Sequence, residues 1–456
     1  MFIARAVTLF LLGFIARAGA QNPPGDLTHC GDTDADTSIG ACTALIGATG
    51  GSRSPGSSGD SNDTLAKAYT YRGFSYLKKS RYDRAIEDFN QAIRLDPDNA
   101  WAYANRGNAY FNTREFDRAL QDYDEALRLN PVGYATLFYG RGAIYRGRGE
   151  LNLAIAQFDE AIRLQPDFPE AFRNRGNAYF DNGQFSLAVE DYGQALRLRP
   201  DYQSALVNRG DAYAAKGQYD RAIEDYGKAI DLQPVPIAFR NRGNAYRAKG
   251  DYDKATGDLD ASIRMQASVG ALDDRGDTYL ELGQNARALE DFSEAVRIGQ
   301  DDPDAFQSRG RAEFYLARWN DAVADFQKSL ALDPSSAYAL IWLHLAIARA
   351  GKNDAGSLEQ QASQIRLDGW PAPVVDMLLG KLRPELAIAF ASDPDADKTT
   401  SQRCEARFYV GEYILTQPDT SAALAHLAEA RRICSGIFAE SLGAKMELKR
   451  AGDGTP

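Results

Sequence analysis

Apolar residues return at helical spacing along most of this chain, and the spacing itself repeats. From Asp83 to Leu95 the apolar positions are Ala85, Ile86, Phe89, Ala92 and Ile93. Charged and polar residues separate them, the mark of a helix with one buried face. Glycines at Gly73, Gly107, Gly142, Gly176, Gly210, Gly243, Gly276 and Gly310 fall 34 residues apart, give or take one. Three residues after them stand Tyr76, Tyr110, Tyr145, Tyr179, Tyr213, Tyr246 and Tyr279, and an alanine stands twelve after each, from Ala85 to Ala322. Sixteen after them come Phe89, Tyr123, Phe158, Tyr192, Tyr226, Leu259, Phe292 and Phe326. Pro97, Pro131, Pro166, Pro200, Pro234 and Pro334 close six of the units. A fixed period of this length predicts an all-α fold, a solenoid of helical hairpins with no strands.

Each recurring position has a physical reason. Two helices approach closest where side chains are smallest, so the glycine of the first helix is expected to face the alanine of the second. The aromatic residues are expected to fill the space between hairpins, and the proline stops the second helix because it lacks an amide hydrogen. The pattern resembles the tetratricopeptide repeat, or TPR, over residues 66–334. That resemblance implies a right-handed α-solenoid and a scaffold that binds protein or peptide partners. The eighth copy departs from it, with Glu313 where the aromatic belongs and Phe314 beside it.

The flanks divide by composition. Residues 1–20 have a short basic start at Arg5, an apolar run from Ala6 to Ile15 and the small residues Ala18-Gly19-Ala20. That is the layout of a cleavable export signal, with an apolar run too short to span a membrane. The expectation is an exported protein, periplasmic or secreted, with no transmembrane segment after signal removal. Residues 21–46 read as an N-terminal half-repeat cap, 47–65 as a flexible linker rich in glycine and serine, 335–452 as a degenerate TPR-like capping region and 453–456 as a disordered tail. Asn62-Asp63-Thr64 fits a glycosylation sequon. Later residues add a second likeness. Trp342-Leu343, Trp370, Leu379-Gly380, the run from Phe408 to Tyr413, and Met446-Glu447-Leu448 are similar to the NlpI family of periplasmic TPR proteins. Its members are outer-membrane lipoproteins that bring cell-wall hydrolases to a processing protease, which implies an adaptor in the cell envelope. Two departures stand out: no cysteine follows the expected cleavage point, and the array is twice as long as that family's.

Charge and cysteine narrow the chemistry. The chain has 52 Lys plus Arg against 63 Asp plus Glu, net −11, and loss of Arg5 and Arg17 with the signal takes it to −13. An acidic surface argues against nucleic acid, which needs clustered cations. Cys30, Cys42, Cys404 and Cys434 are even in number and lie outside the eight repeats, a disulfide pattern in an oxidising compartment. In an antiparallel hairpin the start of one helix lies beside the end of the other. Cys404 and Cys434 are therefore expected to pair, leaving Cys30 with Cys42. His29, His344 and His426 form no ligand pattern, so neither a metal nor a cofactor is expected, and no residue set suggests catalysis.

Two ladders remain. An arginine precedes every glycine, from Arg72 to Arg309, and an aspartate stands fifteen after the glycine in seven copies, Gln157 being the exception. Identity in every unit points to a structural ion pair. Asparagines vary more: Asn105, Asn174, Asn208 and Asn241 precede their glycines by two, and Asn108, Asn177 and Asn244 follow by one. With Arg173 and Arg240 they form the candidate partner-binding set, expected to face solvent inside the concave groove, since asparagine offers both donor and acceptor to a peptide. In TPR domains that clamp a C-terminal carboxylate, such asparagines are joined by cations. Here Arg173, Asn177 and Asn208 match, whereas Ile237 and Asn241 stand where further cations would be. The alternative is a structural solenoid that self-associates and has no defined peptide site.

Overall fold

A computed structural model describes residue 27 and residues 29–50, 59–130, 134–352, 355–365, 368–394, 396–434 and 439–452. No strand occurs among the described residues. The expected signal segment, the tail and residues 51–58 of the expected linker lie outside them. The chain divides into two compact units, one ending at Ala212 and one starting at Tyr213.

The first unit contains α1 (Ala35–Gly50), α2 (Gly59–Lys78), α3 (Tyr82–Leu95), α4 (Ala100–Asn112), α5 (Phe116–Leu129), α6 (Ala135–Gly147), α7 (Leu151–Leu164), α8 (Pro169–Asp181), α9 (Phe185–Leu198) and most of α10 (Gln203–Ala215). From α2 onward the helices pack as consecutive hairpins. In five repeats the turn after the first helix passes through a glycine of positive φ seven after the repeat glycine, at Gly149, Gly183, Gly217, Gly250 and Gly283. Ser80, Arg114 and Ala317 hold the same left-handed position elsewhere. Helices enter the expected linker from both sides, which corrects its bounds. Asp63 pairs with Lys67 one turn on, and acidic residues are favoured at a helix start, so α2 takes in seven of those linker residues.

The packing around the glycines differs from the expectation. A Cβ on Gly107 would lie 2.7 Å from two ring carbons of Tyr123, with the Ala119 carbonyl next at 3.3 Å, and Gly73, Gly142 and Gly176 meet Phe89, Phe158 and Tyr192 in the same way. The glycine therefore receives the ring sixteen residues on, not the alanine twelve on. Helical side chains lean toward the N-terminus, so the ring covers the turn before its own Cα, where the alanine sits. Phe89, Tyr123, Phe158 and Tyr192 are all buried, whereas Tyr76, Tyr110, Tyr145 and Tyr179 are half-buried.

The arginine ladder is a fork. In Arg72, Arg106 and Arg175, Nε and Nη2 donate to both oxygens of Asp88, Asp122 and Asp191 at 2.7–2.8 Å. The free Nη1 reaches back to the preceding helix: Arg72 to Thr43 of α1 (3.1 Å), Arg106 to Asn90 (2.7 Å) and Arg175 to Asp159 (2.6 Å). Helix α1 thus stands where the second helix of a preceding hairpin would stand. Ser75 also donates to Ser38 at 2.8 Å, and Cys30 is bonded to Cys42 beneath it. Burial pushes the Asp88, Asp122 and Asp191 carboxyls up more than the arginines pull them down, so each fork sets register more than it adds stability. Arg141 faces Gln157 and makes no fork: its Nε and the Gln157 Oε1 are buried without a hydrogen-bond partner, while Nη1 reaches Asp124 at 3.1 Å.

The second unit continues with α11 (Tyr219–Leu232), α12 (Pro236–Ala248), α13 (Tyr252–Met265), α14 (Val269–Glu281), α15 (Asn285–Ile298), α16 (Pro303–Tyr315), α17 (Trp319–Leu332) and α18 (Ala337–Arg349). Short helices α19 (Ala355–Ala362), α20 (Ala372–Leu378) and α21 (Pro384–Ala389) follow, then α22 (Ala396–Leu415), α23 (Ala423–Ile433) and α24 (Ala439–Gly452). The forks recur from Arg242 to Asp258, Arg275 to Asp291 and Arg309 to Asp325. Phe314 does not replace the missing aromatic of the eighth copy; it is buried against Trp319 and Trp342, at centroid distances of 4.8 and 5.2 Å. Trp342 is the hub of the largest core, touching Phe326, Phe408 and Tyr409 as well. Helices α22 and α23 form a further hairpin, in which a Cβ on Gly411 would meet Leu427 at 2.8 Å. Cys404, in the middle of α22, is bonded to Cys434 at the end of α23 with Cα atoms 5.1 Å apart, so both disulfides pair as expected, although Cys404 does not open its helix.

Candidate partner-binding faces

The first helices of successive hairpins lie side by side, and their shared face carries the candidate residues. In the first unit this face has one well-defined patch, on α8 and the start of α10. Nη1 of Arg173 donates to Ser204 Oγ at 3.1 Å, and its guanidinium lies 5.4 Å from the centre of the Tyr202 ring. Arg199 covers the same ring at 4.6 Å and pairs with buried Glu170 at 2.5 Å. Burial by these neighbours pushes the Tyr202 hydroxyl above its ordinary range. Nε of Arg173 is buried without a hydrogen-bond partner.

The asparagines are tied to one another. Asn174 donates to the Tyr139 hydroxyl at 2.7 Å and to the Glu170 carbonyl at 3.0 Å. Asn177 Oδ1 accepts from the Tyr192 hydroxyl at 2.8 Å and from Asn208 Nδ2 at 2.7 Å. These bonds link α6, α8, α9 and α10, so the amides hold hairpins in register. Asn105, Asn108 and Asn174 are buried, which removes them from the surface where they were expected. Asn105 donates to the Trp101 carbonyl, and Asn108 accepts from Tyr123, the ring already seated on Gly107. Asn177, Asn208 and Arg173 are half-buried and stay at the edge of the face.

In the second unit the corresponding face is a lattice of opposed charges on α12 and α14. Arg240 Nε and Asn244 Nδ2 both donate to Asp274 Oδ2, at 2.5 and 2.8 Å, and Arg247 pairs with Asp277 at 3.0 Å. Asn241 is half-buried beside them. Asp273 accepts from Ser308 at 3.0 Å through one oxygen, and burial pushes its carboxyl up to about 7. Arg240, Asn241 and Asn244 therefore sit together, and Arg173, Asn174, Asn177 and Asn208 sit together. Each group lies within its own unit.

Sequence reasoning missed Ser204, Tyr202, Asp273, Asp274 and Asp277. One signal was available. The position three before the repeat glycine reads Tyr139, Arg173, Val207, Arg240 and Asp273 in successive units, while the arginine two residues on never changes. Tyr139 and Val207 are buried there, so variation inside a strict repeat marks a position that meets a different neighbour in each unit.

The stacked hairpins define an α-solenoid scaffold. The description "TPR repeat" matches residues 65–113, 142–183 and 176–217, and "Tetratricopeptide repeat" matches 100–131, 204–234 and 240–303. The chain is a tetratricopeptide-repeat protein, a class that binds protein or peptide partners. Among solved structures it is similar to a tetratricopeptide repeat protein from Parabacteroides merdae, at 21% identity and a TM-score of 0.42, covering 62% of this chain and 98% of that one. It is also similar to pilF of Pseudomonas aeruginosa, at 20% identity and a TM-score of 0.41, over 46% of this chain and 96% of that one. A third is YrrB, described as a TPR protein with an unusual peptide-binding site, at 24% identity and a TM-score of 0.37, over 46% and 99%. None of the curated proteins compared with the chain matches it in sequence. No helix among the described residues is long and apolar enough to cross a membrane.

Proposed function

We propose that the protein is an exported adaptor whose first unit captures a protein or peptide partner on the α8–α10 face, in the manner suggested by the NlpI-like C-terminal residues. The observation that carries this reading is Arg173. Tyr202 and Ser204 fix its guanidinium at the half-buried edge of the face, where a partner carboxylate or carbonyl would meet the donors that these contacts leave over. Asn177 and Asn208 border the site and lend their remaining polar edges. Two disulfides in a chain that begins with an export-like segment support a location outside the reducing cytosol.

The test separates binding from folding. Arg173→Glu removes the cation and adds a repelling charge at a half-buried edge, so the full chain keeps its melting temperature while capture from cell-envelope extract falls at least tenfold. Asn177→Ala does the reverse: it strands the Tyr192 hydroxyl and lowers the melting temperature. Undiminished capture by a folded Arg173→Glu chain refutes the assignment of this face.

A further inference from the structure

The C-terminal helix α24 lies on the first-helix face of the seventh to ninth hairpins, although up to 164 residues separate the partners in sequence. Its cations are spaced to meet that face. Lys445 Nζ donates to the carbonyl of Glu281, the last residue of α14, at 3.1 Å, and to its carboxylate. Arg450 Nη2 donates to the carbonyl of Tyr315, the last residue of α16, at 2.7 Å. Both carbonyls belong to the last residues of their helices, where a cation is favoured. Five residues of helix rise about 7.5 Å, and adjacent packed helices stand about 8–10 Å apart. Two long cations five positions apart therefore reach two successive first helices. Between them and the helix start, Gly443 lets the backbone close on the core: a Cβ there would fall 2.6 Å from Tyr315 and 2.8 Å from Phe408.

The rest of the contact is costly to bury. Leu442 and Ala444 are buried, with Met446 and Leu448 partly so. Alongside them lie Glu447 and Glu412, both facing Arg349, at 3.0 and 3.5 Å. Neither oxygen of Glu412 has a hydrogen-bond partner, and it is wholly buried. Charges buried this way return little net stability, so α24 is held by a small apolar set, by two end-capping cations, and by two bonds on its first turn, from the Tyr409 hydroxyl to Glu440 at 3.1 Å and from Arg431 to Ser441 at 2.5 Å.

We propose that α24 is an internal ligand: it occupies a helix-binding surface of the second unit, and a partner helix with glycine, a lysine two residues on and an arginine five beyond that takes the surface by displacing it. This surface is distinct from the Arg173 face, and its test uses the chain's own helix as probe, so the two readings stand or fall separately. The probe is a fluorescein-labelled peptide of residues 439–452, read by anisotropy against the full chain. The wild-type chain, its surface filled, is expected to bind at least tenfold more weakly than two variants, Gly443→Leu and Lys445→Glu, that loosen their own α24. A peptide carrying Lys445→Glu and Arg450→Glu is expected to bind those variants at least tenfold more weakly than the native peptide. Should Gly443→Leu fail to fold, Lys445→Glu decides, because that side chain is one-third exposed. The proposal is overturned if a folded variant ignores the peptide, if the wild-type chain binds it equally well, if charge reversal in the peptide changes nothing, or if both variants unfold, which would make α24 a permanent part of the core.

Discussion

Gly107→Ala is the substitution in which two well-measured effects oppose each other and the structure decides the sign. Alanine is the better helix former by about 1 kcal/mol, and Gly107 lies inside α4, so propensity alone predicts a more stable protein. The added Cβ, however, would stand 2.7 Å from two carbons of the Tyr123 ring. Relief needs a retreat of roughly 0.7 Å to reach ordinary contact at about 3.4 Å. The ring has nowhere to go. Its opposite edge rests on Gly140, where an ideal Cβ would already be 3.1 Å away, and its hydroxyl is held by Asn108. Overpacking of a core costs about 1–3 kcal/mol, so the net loss is up to about 2 kcal/mol after the helical gain. At about 2–4 °C per kcal/mol for a unit of this size, the first transition drops by up to about 8 °C. The assay is thermal melting by circular dichroism beside Gly193→Ala, a helical glycine of the same unit whose added Cβ would meet only an Arg209 nitrogen at 4.0 Å. That control should be stabilised by about 0.5–1 kcal/mol. Combining Gly107→Ala with Tyr123→Leu, which puts at 123 the side chain that faces Gly243 in the sixth repeat, should restore part of the loss, since a Cβ on Gly243 would stand 3.0 Å from Leu259. If Gly107→Ala raises the melting temperature as Gly193→Ala does, the ring-on-glycine account is wrong.

Two further outcomes follow from the buried polar groups. Gln157→Asp supplies the carboxylate that the third hairpin lacks, completes the fork with Arg141 and should raise stability by about 1 kcal/mol, read as a higher melting temperature; no gain would show the orphaned Arg141 Nε to be harmless. For Asp273 the folded-state pKa, about 7, lies above the ordinary 3.8, so the folded chain holds the proton more tightly and its contribution to stability falls as pH rises from about 4 to 7. The slope is at most about 1.4 kcal/mol per pH unit, and Asp273→Asn should flatten it in melts taken across that range; an unchanged slope assigns the pH dependence to other groups.

The periodicity gave away most of the fold because each repeat is two helices whose burial pattern lies within 34 residues. Disulfide pairing was legible for the same reason, since both ends of the Cys404–Cys434 bond lie in one hairpin. What failed was the side-chain geometry between helices. Offsets along a sequence treat residues as points, whereas a helical ring leans back one turn, so Tyr123 and not Ala119 fills the space at Gly107. The asparagines failed for a related reason: whether Asn105 or Asn177 is buried depends on the next hairpin, which the pattern inside one repeat does not report. The contact of α24 was not legible at all, because no local pattern pairs Lys445 with Glu281.

The reach of each ladder arginine to the helix before it has a thermodynamic consequence. A stack of near-identical hairpins behaves as a one-dimensional chain of spins, with a fold energy for each site and a coupling for each junction. Here the coupling is written by one residue, seventeen after each glycine. Asn90, Asp124, Asp159 and Asp260 each give the following arginine an oxygen. In the second unit Gly227 carries no side chain with which to do so for Arg242. Domain walls between folded and unfolded stretches of that unit should collect at this junction, between α11 and α12. Amide exchange on α11 would then run ahead of the unit's own unfolding rate, and the unit would come apart at an address set by one glycine.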